Sequence, residues 1–304
     1  MKFLEWHKRF YCVALLACTF ISATPAQAQD DRSPLRVVAS FSILADMVRE
    51  VGGDSVSVTS LVRPDSDAHV FEPSPVDAQR VAKAQLIFVN GLHFEGWIER
   101  LIQASEYRGP VIVATRGIAP RMVGGEPDPH TWQSLANAKR YVENIRAALV
   151  AARPARATEI NRHAADYLHR IDVLEQSVQQ RFAVIPAAQR RVITSHDAFE
   201  YFAAAYHVEF FAPQGWSTES EPSAADVARI VRQIKAQRVT ALFVENIVDP
   251  RLLQRIGREA SVKLGGTLYS DALSAPGTVA DTYLKMMDYN SATLAAALQA
   301  GLGR

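Results

Sequence analysis

The sequence predicts an α/β fold of two open, mainly parallel-sheet lobes joined by one long spine helix. Three observations carry this. Between Pro154 and Pro186 lie 31 residues without Gly or Pro, with Ile160, Ala164, Tyr167, Ile171, Leu174, Val178 and Phe182 recurring every three or four positions. That spacing puts one apolar stripe on one helix. Pro154 suits a first turn, where its missing N–H costs nothing, and Pro186 cannot continue the ladder. At about 1.5 Å per residue the helix would run roughly 45 Å, more than one small domain needs, so it is expected to link two lobes. On both sides of it, short β-branched apolar segments alternate with segments of helical period, the pattern of α/β layers. Segments such as Leu86-Ile-Phe-Val89 are apolar at every position, as strands buried on both faces of a parallel sheet are.

Taken in order, Leu35–Phe41, Ser55–Val62, Leu86–Asn90 and Pro110–Thr115 are the expected strands of the first lobe, with helices at Ile43–Val51, Pro75–Ala84 and Trp97–Tyr107 between them. After the long helix, strands are expected at Arg191–Ser195, Val208–Ala212, Ala241–Glu245 and Gly266–Ser270. Helices are expected at Ala198–Tyr206, Ala224–Gln237 and Pro250–Ala260, with a last one from Val279 to Leu302. The expected divisions are therefore residues 29–153, 154–186 and 187–304, behind a leader of residues 1–28.

The leader begins with Lys2, Lys8 and Arg9, continues through an apolar run from Val13 to Ile21 and reaches Ala26-Gln27-Ala28. This is the form of a secretory signal peptide cut after Ala28, and the run is too short to stay as a membrane span. Both cysteines, Cys12 and Cys18, fall inside it, so the mature chain is expected to lack disulfides. A lipoprotein site at Leu15-Leu-Ala-Cys18 fits less well, because an apolar stretch still follows Cys18. The expected location is the periplasm. Without the leader, 30 basic residues face 31 acidic ones, for a formal charge of −1. A nucleic-acid binder would show a basic excess or patch, which this chain does not.

In open parallel sheets ligands bind beyond the carboxyl ends of the strands. Four residues stand there: His69 in Asp65-Ser-Asp-Ala-His69, His130 in Asp128-Pro-His130-Thr-Trp132, His196 directly after Val192-Ile-Thr-Ser195, and Asp271 directly after Leu268-Tyr-Ser270. Singly, each has a plainer role as a cap or a turn residue. Together, two from each lobe and all facing one cleft, three imidazoles and a carboxylate can close a tetrahedral shell around a borderline divalent metal. With neutral imidazoles such a site keeps a charge of about +1, so further acceptors should stand behind it; Asp67, Asp197 and Glu245 are the candidates. His163 and His169 fall on the outer side of the long helix and His207 in a turn; His93 also follows a strand end and is a candidate rim residue of the cleft, and whether Glu72 or His93 joins the site is left open by the sequence.

The chain resembles the solute-binding proteins of zinc and manganese ABC transporters, the ZnuA/TroA-like group of cluster A-I. The likeness runs over the mature chain through Val38-Ala-Ser-Phe-Ser-Ile-Leu-Ala45, Asp67-Ala-His-Val-Phe-Glu-Pro73, Asn90-Gly-Leu-His-Phe-Glu-Gly-Trp97, Asp128-Pro-His-Thr-Trp132, Ser195-His-Asp-Ala-Phe199 and Tyr269-Ser-Asp-Ala-Leu273. By position it implies that His69, His130, His196 and Asp271 are metal ligands, that the partner is a membrane ABC permease, and that the protein is a monomer and no enzyme. Loading by a periplasmic metallochaperone is compatible with it. Two features depart from many zinc members: Ala114–Asp128 contains no His, and the mature chain has no Cys. Manganese members typically carry a carboxylate where His196 stands, so zinc is the expected metal, with manganese the alternative. A secreted zinc hydrolase would need an open coordination position and a general base, and no His-Glu-x-x-His segment is present. A pocket for an organic chelate lined by Trp97, Trp132 and Trp216 is the remaining option.

Overall fold

The apolar segments on the two sides of the long helix pair only among themselves, and so make two sheets. A computed structural model describes residues 33–237, 239 and 241–301. In the first lobe β1 (Leu35–Ala39), β2 (Val56–Ser60), β3 (Leu86–Val89) and β4 (Val111–Val113) form a sheet in the order β2-β1-β3-β4, every pair parallel. The interposed helices are α1 (Ser42–Gly52), α2 (Pro75–Ala82) and α3 (Ile98–Ala104). Ser74 and Asp77 cap α2 reciprocally ahead of Pro75, which fixes where the loop after β2 ends. A short antiparallel hairpin, β5 (Met122–Val123) and β6 (Glu126–Pro127), precedes His130. Its turn is Gly124-Gly125, both at positive φ, where a Cβ is disfavoured. Its strands are two residues each and are not among the segments expected from the apolar runs. Next come α4 (Leu135–Ala152) and α5 (Ala157–Ala183).

In the second lobe β7 (Arg191–Ile193), β8 (Glu209–Phe211), β9 (Ala241–Glu245) and β10 (Leu264–Leu268) form a parallel sheet in the order β10-β9-β7-β8. Numbered within its own lobe, that is the same order as the first sheet. In both lobes the chain reverses its direction of winding between the first and third strands, the place where such sheets open a crevice. The helices of this lobe are α6 (Glu200–Tyr206), α7 (Ala224–Gln237), α8 (Arg251–Ala260) and α9 (Tyr283–Gly301).

The long helix is α5, 27 residues and about 40 Å long, with Pro154–Arg156 forming a 3-10 turn ahead of it. Ile160, Ala164, Tyr167, Ile171, Val178 and Phe182 are its buried stripe. It packs on α4 and α1 from the first lobe and on α9 and α6 from the second. Arg170 pairs with Glu50 of α1, and the Arg181 guanidinium lies 2.6 Å from Asp288 of α9 and donates to Ser291 at 2.7 Å. His169 is exposed as expected, but His163 is half-buried against Gly53. His207 ends α6 in a left-handed turn.

One apolar core runs through both lobes, from Leu35 and Phe88 to Tyr283 and Leu298, and a smaller cluster around Ile193, Ile230 and Leu253 lies within the second lobe. Residues from Ser33 onward accordingly form one compact unit. A continuous apolar interface resists wide hinge opening. The leader, with Cys12 and Cys18, lies outside the described residues, as does the expected end of the last helix at Leu302. Among the described residues, no helix is long and apolar enough to cross a membrane.

Candidate metal centre

All four singled-out residues follow strand ends, and local bonds fix each one. His69 lies in the loop after β2, where its own N–H donates to Asp67 Oδ1 at 2.8 Å and the Trp97 indole N–H holds the Ala68 carbonyl at 2.8 Å. His130 follows the hairpin; its backbone N–H donates to Asp128 Oδ1 at 3.0 Å, and the Asn90 amide holds the Pro129 carbonyl at 3.0 Å. His196 follows β7, and the N–H groups of Ser195 and His196 both donate to Glu245 Oε1, at 2.7 and 3.0 Å. Asp271 follows β10, and its preceding carbonyl, Ser270 O, accepts from Trp132 Nε1 at 2.9 Å and Gln133 Nε2 at 2.8 Å.

These bonds bring one donor atom from each residue within 4.8 Å of all the others. His69 Nε2 and His196 Nε2 both lie 3.2 Å from Asp271 Oδ2, His130 Nε2 lies 3.5 Å from Asp271 Oδ1, and His69 Nε2 and His130 Nε2 are 3.3 Å apart. The far nitrogens face carboxylates: His130 Nδ1 is hydrogen-bonded to Asp128 Oδ1 at 2.8 Å, and His196 Nδ1 lies 2.6 Å from Glu245 Oε2 as an ion-pair contact without hydrogen-bond geometry. A carboxylate on Nδ1 fixes the tautomer that offers the Nε2 lone pair and raises its basicity. All four residues are buried. His196 Nε2 and both Asp271 oxygens have no hydrogen-bond partner among the described residues. Leaving such atoms unpaired in a dry interior is costly, and a dication at their centre would satisfy them all.

The charges agree with that role. Burial opposes a charge on His130, but Asp271 and Asp128 outweigh it and push its pKa up to about 9. Burial likewise opposes a charge on His196, and Glu245 and Asp271 hold it well above the usual imidazole value. His69, whose burial is only partly offset by Asp271, is pushed down. Burial would raise Asp271, yet His130 and His196 hold it well below the usual carboxylate range. The carboxylates around His130 and His196 thus favour positive charge at the point where the four residues meet.

Of the three expected rear acceptors, Glu245 contacts a ring nitrogen and Asp67 holds the His69 backbone, while Asp197 lines a surface pocket with Gln214 and Trp216. The acceptor behind His130 is Asp128, which is not among the three expected ones although Asp-Pro-His places it two residues away. His93 is exposed on left-handed backbone and Glu72 is exposed; neither belongs to the group of four. The tryptophans do not make a chelate pocket: Trp97 and Trp132 are buried and spend their N–H groups on loop carbonyls, and the Trp216 ring stands 6.2 Å from that of His69.

Under the site, the Phe94 ring lies 4.8 Å from His69, 6.0 Å from His130 and 4.9 Å from both Phe41 and Trp132. Phe94→Ala should cost about 3–5 kcal/mol of stability in urea unfolding of the metal-free protein, because it empties the floor on which two imidazoles rest.

The family described as "Zinc-uptake complex component A periplasmic" (ZnuA) matches residues 37–297. The chain belongs to this family. It is thus a metal-binding substrate-binding protein of an ABC transporter, a class that works outside the cytoplasm beside a cognate membrane permease and is not enzymatic. It is similar to the manganese-binding lipoprotein MntA of Halalkalibacterium halodurans, 31% identical over 94% of this chain and 95% of the other. It is also similar to the iron-binding protein YfeA of Yersinia pestis, 30% identical over 92% and 93%. Its fold is similar to that of the periplasmic zinc-binding protein TroA from Treponema pallidum, with a TM-score of 0.84 at 28% identity, covering 87% of this chain and 99% of that one.

Proposed function

We infer that this member of the ZnuA family captures zinc in the periplasm and delivers it to its permease, with His69, His130, His196 and Asp271 as the four ligands. The carrying observation is the convergence of three imidazole Nε2 atoms on one carboxylate in a buried site, two of the rings backed by Asp128 and Glu245. Three nitrogen donors and one oxygen suit a four-coordinate borderline ion better than a hard one that seeks six oxygens. Manganese is the competing cargo, since relatives such as MntA are named for it. Dialysis of metal-stripped protein against equimolar zinc and manganese separates the two: one zinc per chain supports this reading, and retention of manganese in preference to zinc overturns the choice of metal. Export by a cleaved leader, without a lipid on Cys18, belongs to the same proposal; the mass of the mature chain from an exporting host tests it.

Release would proceed by yielding of the His69 loop rather than by swinging of the lobes. That loop is tied to the second lobe through Thr218 Oγ1, which donates to Asp67 Oδ2 at 2.6 Å, and through Asp65, which accepts from Asn246 Nδ2 at 2.9 Å and Ala275 N at 3.2 Å. Thr218→Val removes one tie without touching a ligand. Stopped-flow transfer of zinc to a chelator should then run about 2–10-fold faster, at unchanged stoichiometry, as loss of one hydrogen bond implies.

A further inference from the structure

We propose that Trp132 and Gln133 are positioning residues for Asp271, and that through them the turn carrying His130 sets the carboxylate of the opposite lobe. The inference rests on the four-ligand reading above. The carbonyl before each of three of those residues is held by a side-chain donor, but the donors differ in origin. Ala68 O and Pro129 O are held from within the first lobe, by Trp97 and Asn90. Ser270 O is held from across the cleft, by both Trp132 Nε1 and Gln133 Nε2. These two residues sit in the 3-10 turn Thr131–Gln133, directly after His130. The turn is itself braced, since the Tyr283 hydroxyl donates to Trp132 O at 2.6 Å. One short rigid segment therefore carries an imidazole into the site and also fixes the peptide before Asp271. Imidazole and carboxylate, which come from different lobes, cannot shift independently.

Gln133 shows that this is more than packing. It is fully buried, yet its Oε1 has no partner among the described residues. A buried amide with an unmatched oxygen is a poor choice for stability, because the desolvation of that oxygen is not repaid. What the residue contributes is its N–H donor, and that donor is on Ser270 O. A carbonyl accepting two N–H groups leaves the following Cα, and hence the Asp271 carboxylate, little freedom; buried ligands held in this way lose less order when metal arrives.

The test is a double-mutant cycle read as zinc affinity against a chromophoric chelator, using the whole mature chain. Gln133→Met keeps the length and removes both the donor and the unmatched oxygen; Trp132→Phe keeps the ring and removes the N–H. Each should weaken zinc binding about tenfold, and the pair, which shares one acceptor, by about 10–100-fold, at one zinc per chain. In an Asp271→Asn background Gln133→Met should change affinity less than twofold, since the charged carboxylate whose placement it sets is already gone. In the double variant, bound cobalt should lose the strong visible bands of a four-coordinate site. No loss of affinity in the native background, or the same tenfold loss with Asn at 271, would overturn the proposal. Thermal unfolding of the metal-free variants checks the fold, and Trp132→Phe serves in the cycle should Gln133→Met not fold. If wild-type protein bound no stoichiometric zinc, the ligand reading itself would fall, an outcome distinct from a normal wild type with indifferent variants.

Discussion

Asp271→Asn is expected to weaken zinc binding by roughly 10²–10³-fold, the equivalent of about 3–4 kcal/mol, because one partner is removed from a buried charged set. Asp271 is the hub of the site: His69 and His196 both approach its Oδ2, and His130 its Oδ1. Asn offers one neutral oxygen in the same place, so it keeps the shape and removes the charge. The same change should leave the metal-free fold standing at pH 8. With the negative charge gone, His130 and His196 lose their largest shared reason to stay protonated, and neutral rings no longer need a counter-charge. Isothermal titration for affinity and urea unfolding for stability separate the two effects. A variant that binds zinc like the wild type would remove Asp271 from the ligand set.

The second large effect is on protons. His130 is raised to about 9 and His196 lies well above the usual value, so the metal-free site is expected to hold protons that zinc must displace. His69, pushed down by burial, holds none. Zinc requires all three rings neutral, so loading should expel protons, and log affinity should climb as pH rises toward about 9, where His130 loses its own proton. Composition alone would place this dependence around the ordinary imidazole value; the carboxylates behind and beside the rings move it upward. The sign for folding is the opposite. A raised His pKa stabilises the metal-free protein most fully below the unfolded value, and that contribution is lost as pH rises through about 9 for His130. Titration calorimetry in buffers of different ionisation enthalpy counts the protons. A count near zero at pH 7.5 would show that metal-free rings are already neutral and that the electrostatic account is wrong.

The sequence showed the strands well because their apolar runs are uninterrupted. β9 coincides with its expected segment, and β1, β2, β3, β4, β7 and β8 fall inside theirs, trimmed at their ends. β10 begins two residues early, at Leu264, where Gly265 and Gly266 carry a register shift that a search for β-branched residues misses. The last helix starts at Tyr283 and not at Val279, because Gly277 to Thr282 form the turns that lead α9 onto α1, where Asp46 Oδ2 accepts the Tyr283 N–H at 2.8 Å. Such a start is set by a residue 237 positions away in the chain, beyond the reach of local pattern. The residues of the candidate site were legible because each follows a strand and each has a metal-ligating type. What stands behind them was only half legible. Glu245 ends a strand and could be anticipated, whereas Asp128 resembles an ordinary turn former and the two tryptophans resemble pocket lining until their N–H groups are traced to the carbonyls of Ala68 and Ser270.

The central claim is a closed four-ligand zinc site built from both lobes, and zinc-edge X-ray absorption on the loaded protein addresses it most directly. The account predicts three imidazole nitrogens and one carboxylate oxygen, all at about 2.0–2.2 Å, with no coordinated water. Two imidazoles or fewer, or a shell of five or six mostly oxygen donors, would contradict it.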